Sequence, residues 1–118
     1  GIKSENSSLV LNTCTFNDMR RYSYTYSNLR AASWTWVNDG YGIYSNNSSG
    51  SPISLSVQGN NFTNCGYGVA TKNAITIEVT GSTFDSLRYS AVSIVNPTGV
   101  DVNIHGNTIT HFLNGVSV

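Results

Sequence analysis

Chemistry in this sequence would have to begin with its few ionisable side chains, six acidic residues and two histidines among 118. Asp18 and Asp39 bracket an aromatic-rich stretch and are the only carboxylates placed to approach each other across it. A glycosidase pair needs two carboxylates roughly 5–10 Å apart across a sugar-sized groove. The competing reading is two loop aspartates that cap turns, and it is the simpler one. His105 and His111 lie six residues apart on opposite sides of a corner. As a metal pair they lack a third ligand, so surface histidines is the better reading and no metal or other cofactor is expected. Asp85 and Glu78 read as solvent-facing charges. Cys14 and Cys65 fall at different places in the repeat set out below, which speaks against a disulfide and for two small, partly buried apolar residues. No nucleophile stands at an interpretable spacing from a base, and there is no phosphate-binding loop.

Bulk composition narrows the partners further. The net charge is zero, and charged residues make up 10% of the chain against about 25% in ordinary domains. A basic nucleic-acid face has no support from such a balance. No apolar run approaches the roughly 18 residues of a membrane span. Asn, Ser, Thr and Gly supply the polarity instead, the residues of corners and outward strand positions. The chain begins at Gly1 without a methionine, which reads as a processed or excised piece.

What organises the chain is repetition. Four segments align without gaps: SLVLNTCTFNDM (8–19), SLSVQGNNFTNC (54–65), TIEVTGSTFDSL (76–87) and DVNIHGNTITHF (101–112). Their apolar columns are Leu9, Leu55, Ile77 and Val102; Leu11, Val57, Val79 and Ile104; Phe16, Phe62, Phe84 and Ile109; and Met19, Cys65, Leu87 and Phe112. After each segment comes a small residue and a β-branched one, Gly42-Ile43, Gly68-Val69, Ala91-Val92 and Gly115-Val116. Phe62, Phe84 and Ile109 recur after 22 and then 25 residues. Apolar residues alternate within each segment, as in strands, and no stretch carries a 3.6-residue period. Three short strands per period fit a parallel coil of strands better than a leucine-rich repeat, which needs its own consensus and usually a helical arm. Stacked at about 4.8 Å, four such repeats make a stub about 20 Å tall.

The motif apolar-x-apolar-x-Gly-Asn-x-Phe resembles the right-handed parallel β-helix of pectate lyases, polygalacturonases and phage tailspikes. The resemblance covers nearly the whole chain outside the insertion, and it implies that 1–118 is a single all-β solenoid of about four rungs with an inserted aromatic β-hairpin in the first. It implies that 8–12, 54–58, 76–80 and 101–105 are second strands, that the Phe column lies on third strands, and that Ile43–Ser45, Val69–Thr71, Val92–Ile94 and Val116–Val118 are first strands. It also implies a tight corner at Gly59-Asn60, Gly81-Ser82 and Gly106-Asn107, where stacked asparagines form a ladder. Asn60 and Asn107 match that ladder, whereas Cys14 and Ser82 depart from it, so the expectation is a broken one. Relatives of this type place carboxylates, basic residues or calcium ligands on the outward face of the first strands. Here those positions are Tyr44, Ala70, Ser93 and Ser117, none of them suited to acid–base or metal chemistry, and catalysis within these repeats is not expected.

The first repeat alone carries an insertion, residues 20–39. Tyr22, Tyr24 and Tyr26 alternate with Ser and Thr, as do Trp34 and Trp36, which reads as a hairpin around Ser27–Ala32. Its aromatic face has three readings: folded onto the coil, packed against another subunit, or a sugar-stacking platform beside the first strands. Arg20, Arg21 and Arg30 flank it and would suit acidic sugars or simply be solvated. Gly1–Ser7 reads as a short polar stretch at one end. At the other, Val116-Ser117-Val118 stops mid-strand without a visible cap, the signature of a fragment or of an end covered by another chain. Glycosylation sequons occur at Asn6, Asn46, Asn47 and Asn61.

Together these features give the expectation of an extracellular, cell-surface or virion module that binds carbohydrate, as tailspikes and adhesins do. Its candidate contacts are Tyr44, Tyr22, Tyr24, Tyr26, Trp34, Trp36, Arg21 and Arg30. One alternative is an assembly module that stacks or oligomerises through open ends and the aromatic hairpin, as a trimer if tailspike-like. The other is a piece of a polysaccharide lyase or hydrolase whose catalytic rungs lie elsewhere.

Overall fold

The computed structural model describes residues 1–19, 21–26, 32–37, 40–74, 76–96 and 101–118. Among these there are strands and turns and no helix. Thirteen strands form: β1 (Ile2–Glu5), β2 (Leu9–Asn12), β3 (Thr15–Asn17), β4 (Arg21–Tyr26), β5 (Ala32–Val37), β6 (Tyr41–Asn46), β7 (Ser54–Gln58), β8 (Asn61–Thr63), β9 (Tyr67–Lys72), β10 (Thr76–Thr80), β11 (Thr83–Val95), β12 (Asp101–His105) and β13 (Thr108–Ser117). They make a seven-stranded sheet, β1-β6-β9-β11-β8-β3 with β13 on β11, a four-stranded sheet, β12-β10-β7-β2, and the β4–β5 pair.

Every pairing in the two larger sheets is parallel, and each joins a strand to its counterpart in the next repeat. Leu55 pairs with Leu9 on one side and Ile77 on the other, and Ile77 pairs with Val102. Phe62 lies between Phe16 and Phe84, and Phe84 pairs with Ile109. Ile43, Val69, Val92 and Val116 likewise lie in one line. The apolar columns read from the sequence are therefore the physical columns of the core, because a period-2 pattern leaves one register that buries every apolar residue. Curled parallel sheets with this connectivity are compatible with a solenoid.

Aromatic stacking binds the core along the column direction. Phe16 and Phe62 have ring centroids 4.9 Å apart at 7°, and Phe62 and Phe84 are 4.7 Å apart at 2°. These distances are the inter-strand spacing itself. Gly42 and Gly68 are small because those rings press on them. A Cβ at Gly42 would meet the Phe62 ring at 2.6 Å, and one at Gly68 the Phe84 ring at 2.5 Å. Where isoleucine replaces phenylalanine, at Ile109, the repeat before it carries Ala91 in place of glycine.

Corners fall into columns too. Thr13, Gly59, Gly81 and Gly106 all have φ between 55° and 64°, the left-handed region. Asp18, Asn64, Ser86 and His111 form a second such column after the third strands, and Asn6, Asn73 and Asn96 a third after the first strands. Asn, Asp and Gly dominate because they tolerate these angles, whereas β-branched Thr13 pays a steric penalty there.

Two expectations change. Ile2–Glu5 is a strand, paired in register with β6 from Ile2–Ile43 to Glu5–Asn46, rather than only a polar end stretch. Third and first strands also run on without a break in β11 and β13, passing through left-handed Ser86 and His111, with a register slip between Leu87 and Ser90.

The inserted hairpin has the expected strands. β4 and β5 pair antiparallel, with Tyr22 opposite Trp36 and Tyr24 opposite Trp34. The readings of its aromatic face rest on side chains outside the described residues, as do Arg20, Arg30 and Asp39.

In the fourth repeat the columns come to the surface. Val102, Phe112 and Val116 are 43%, 47% and 45% exposed, whereas their partners Ile77, Leu87 and Val92 are 0%, 4% and 0%.

Candidate functional site

Hydrogen bonds link the corners of successive repeats. Asn60 Oδ1 accepts the backbone N–H of Cys14 at 2.7 Å, Ser82 Oγ accepts that of Asn60 at 3.1 Å, and Asn107 Oδ1 accepts that of Ser82 at 2.9 Å. The ladder expected to be broken at Ser82 is thus continuous in its acceptors, since a hydroxyl oxygen can occupy the place of an amide oxygen. It is interrupted only in its donors. Asn60 Nδ2 donates back to Leu11 O at 2.9 Å and Asn107 Nδ2 to Val79 O at 2.8 Å, whereas the Ser82 hydroxyl donates within its own corner, to Thr80 O at 3.2 Å. Gly59, Gly81 and Gly106 sit at the left-handed position just before these side chains.

On the first strands, alternation puts one set of residues outward. Lys3, Tyr44, Ala70, Ser93 and Ser117 lie in one line across β1, β6, β9, β11 and β13. Two residues along, Glu5, Asn46, Lys72 and Val95 make the next. Ala70 and Ser93 are short and form a floor, from which the Tyr44 ring rises.

Beside that floor stand three tyrosines from successive repeats. Tyr41 and Tyr67 stack at 4.9 Å and 15°, and Tyr67 and Tyr89 at 5.0 Å and 28°. The Arg88 guanidinium lies 5.4 Å from the Tyr89 ring centre, within cation–π range. Tyr44 is tilted 52° to Tyr41 with centroids 5.2 Å apart. Tyr67, stacked on both neighbours, can present a ligand with its edge and hydroxyl but not its face.

Two grooves meet at this aromatic cluster. One, of about 480 Å³, is lined by Gly1, Ile2, Lys3, Tyr41 and Tyr44. The other, of about 290 Å³, has Tyr44 and Tyr67 as walls, Ala70 and Ser93 as floor, and Lys72 and Val95 at its rim. Lys3 Nζ pairs with Glu5 Oε1 at 2.8 Å, and that hydrogen bond and charge raise the lysine above its usual pKa.

Of the residues singled out from sequence, Tyr44 is the one the described structure places in a groove. Asp18 accepts a hydrogen bond from Asn64 Nδ2 at 3.1 Å and sits in the left-handed column after the third strand. Whether it meets Asp39 lies outside the described residues. His105 is on β12 and His111 on β13, in different sheets, so the two are not brought together as a pair. His111 Nδ1 instead lies 2.7 Å from Asp85 Oδ1, which also accepts from Thr110 Oγ1 at 2.8 Å. The two contacts, His111 foremost, hold Asp85 below the usual carboxylate range.

Both cysteines are free. Burial pushes the Cys65 thiol up, which makes it inert rather than nucleophilic. Of the sequons, Asn47 is buried, with its amide donated to Ser51 O at 2.7 Å, and is closed to glycosylation in the folded chain. Among the described residues no helix is long and apolar enough to cross a membrane.

Sequence reasoning missed the tyrosine stack. Its signal was present in Tyr41-Gly42-Ile43 and Tyr67-Gly68-Val69. Tyr89 escapes that pattern because Ser90, not Tyr89, pairs with Tyr67.

No protein family matches the chain, and neither does any curated protein or solved structure.

Proposed function

We propose that this chain is a carbohydrate-binding module built as a right-handed parallel β-helix of four rungs, in the manner of extracellular or virion tailspikes and adhesins. The observation that carries the reading is Tyr44, rising from a floor of Ala70 and Ser93 between two grooves and flanked by a stack of tyrosines. Ligand sites typically combine an apolar concave wall with a few placed polar groups, and an aromatic ring on a flat floor suits the apolar face of a pyranose. A glycan laid along the outward columns would cross successive strands about 4.8 Å apart. The hairpin aromatics Tyr24 and Trp34 belong to the same proposal as a second contact. The outward line through Tyr44 carries no carboxylate, so the reading is of binding without turnover in these rungs.

A glycan array decides it. Tyr44→Ala should lower binding to the best ligand at least tenfold, and Tyr24→Ala and Trp34→Ala report whether the hairpin shares the site. Wild-type binding to no glycan, or binding indifferent to Tyr44→Ala, would sink the reading.

A second reading is assembly. In it the aromatic hairpin, or the exposed Val102, Phe112 and Val116, packs against another chain. Light scattering tests it: a stable monomer at micromolar concentration would count against it.

A further inference from the structure

The two grooves that meet at Tyr44 differ in charge, although each has one lysine. In the larger, Lys3 is neutralised within its own strand by Glu5 at 2.8 Å. In the smaller, Lys72 makes no ion pair among the described residues. Its register neighbours in the outward line are Asn46 and Val95, both uncharged. The nearest acid along that line is Glu5, one strand beyond Asn46, and its carboxylate is turned to Lys3. The rest of the smaller groove is Tyr41, Tyr44, Tyr67, Ala70, Thr71 and Ser93, with no acid among them.

We infer that Tyr44 divides two subsites of different electrical character, and that the Lys72 subsite selects a sugar bearing an anionic substituent, a carboxylate or a sulfate. The inference rests on the glycan-binding reading and adds to it a substrate class and a polarity. A lone ammonium at the rim, above small residues that leave room for a substituent, gives a charge-assisted hydrogen bond to such a group. The neutralised Lys3–Glu5 end takes an uncharged sugar with equal ease. The acidic unit of a bound chain therefore lies on the Ala70–Ser93 side of Tyr44.

The test uses oligosaccharides printed as matched pairs, each backbone once neutral and once carrying a sulfate or a carboxylate, read at 50 and 200 mM salt. Wild type should prefer the anionic member by about tenfold at low salt, the factor of one charge-assisted contact. That preference should shrink at high salt. Lys72→Gln should abolish the preference, and Lys3→Gln should leave it intact. A preference that survives Lys72→Gln, or its absence in a wild type that binds neutral glycans, overturns the inference and spares the glycan reading. Binding to neither member of any pair overturns both.

Discussion

Ser82 Oγ accepts the backbone N–H of Asn60 at 3.1 Å, the place that an asparagine oxygen takes at the corners on either side. Asn60 is fully buried, so its N–H has no water to turn to. Ser82→Ala should therefore cost about 1–3 kcal/mol, the penalty of an orphaned buried donor. Ser82→Asn should instead add about 0.5–1 kcal/mol, through the amide donor that the other two corners supply. Urea unfolding at constant m-value measures both.

Gly68 faces the Phe84 ring at 2.5 Å and the Ala91 carbonyl at 2.7 Å from a would-be Cβ. Gly68→Ala should destabilise by about 1–3 kcal/mol, the range for overpacking. Adding Phe84→Ile, which copies the Ala91 and Ile109 combination, should recover part of the loss. A double-mutant cycle with no coupling between the two sites would contradict the size-matching seen here.

Thr13 holds φ at 55° where the equivalent residues are glycines. The left-handed conformation costs an L-residue roughly 1–2 kcal/mol, and greater backbone freedom in the unfolded chain offsets part of the gain from glycine. Thr13→Gly should stabilise by about 0.5–1 kcal/mol, read as a rise in the thermal midpoint.

Asp85, held below the ordinary carboxylate range by His111 and Thr110, gives a pH dependence of known sign. A depressed carboxylate contributes stability that is present above its unfolded pKa and is lost as pH falls through its folded one. Stability should therefore decline on acidification below the usual aspartate range. Asp85→Asn should flatten that part of the profile. The pair is exposed, so the effect should be small and should shrink with salt.

The core was legible from sequence because burial and register enforce one another. Leu55, Val57 and Phe62 have the same partners in the sheets as in the alignment. Less legible were features that depend on hydrogen-bonding capacity or on a slipped residue. Ser82 looks like a gap in an asparagine ladder until its oxygen is seen where an amide oxygen would be. Tyr89 is hidden because β11 carries one extra residue, so that Asp85 pairs with Thr63 but Ser90, not Tyr89, with Tyr67, although the two rings stack. The strand Ile2–Glu5 was hidden by having one apolar residue, and pairing with β6 rather than composition makes it a strand.

The corner relay also has a direction. Each backbone N–H in it is satisfied by a side chain from the following repeat, Cys14 by Asn60, Asn60 by Ser82 and Ser82 by Asn107. Shortening the chain of repeats from its N-terminal side would free the Asn60 oxygen of Cys14, and would also take Leu11 O from the Asn60 amide and Cys14 O from the Asn61 N–H. Shortening it from the C-terminal side would strand a donor in the repeat left behind. The relay itself thus points one way, each corner leaning on the repeat after it, even though the repeats look interchangeable.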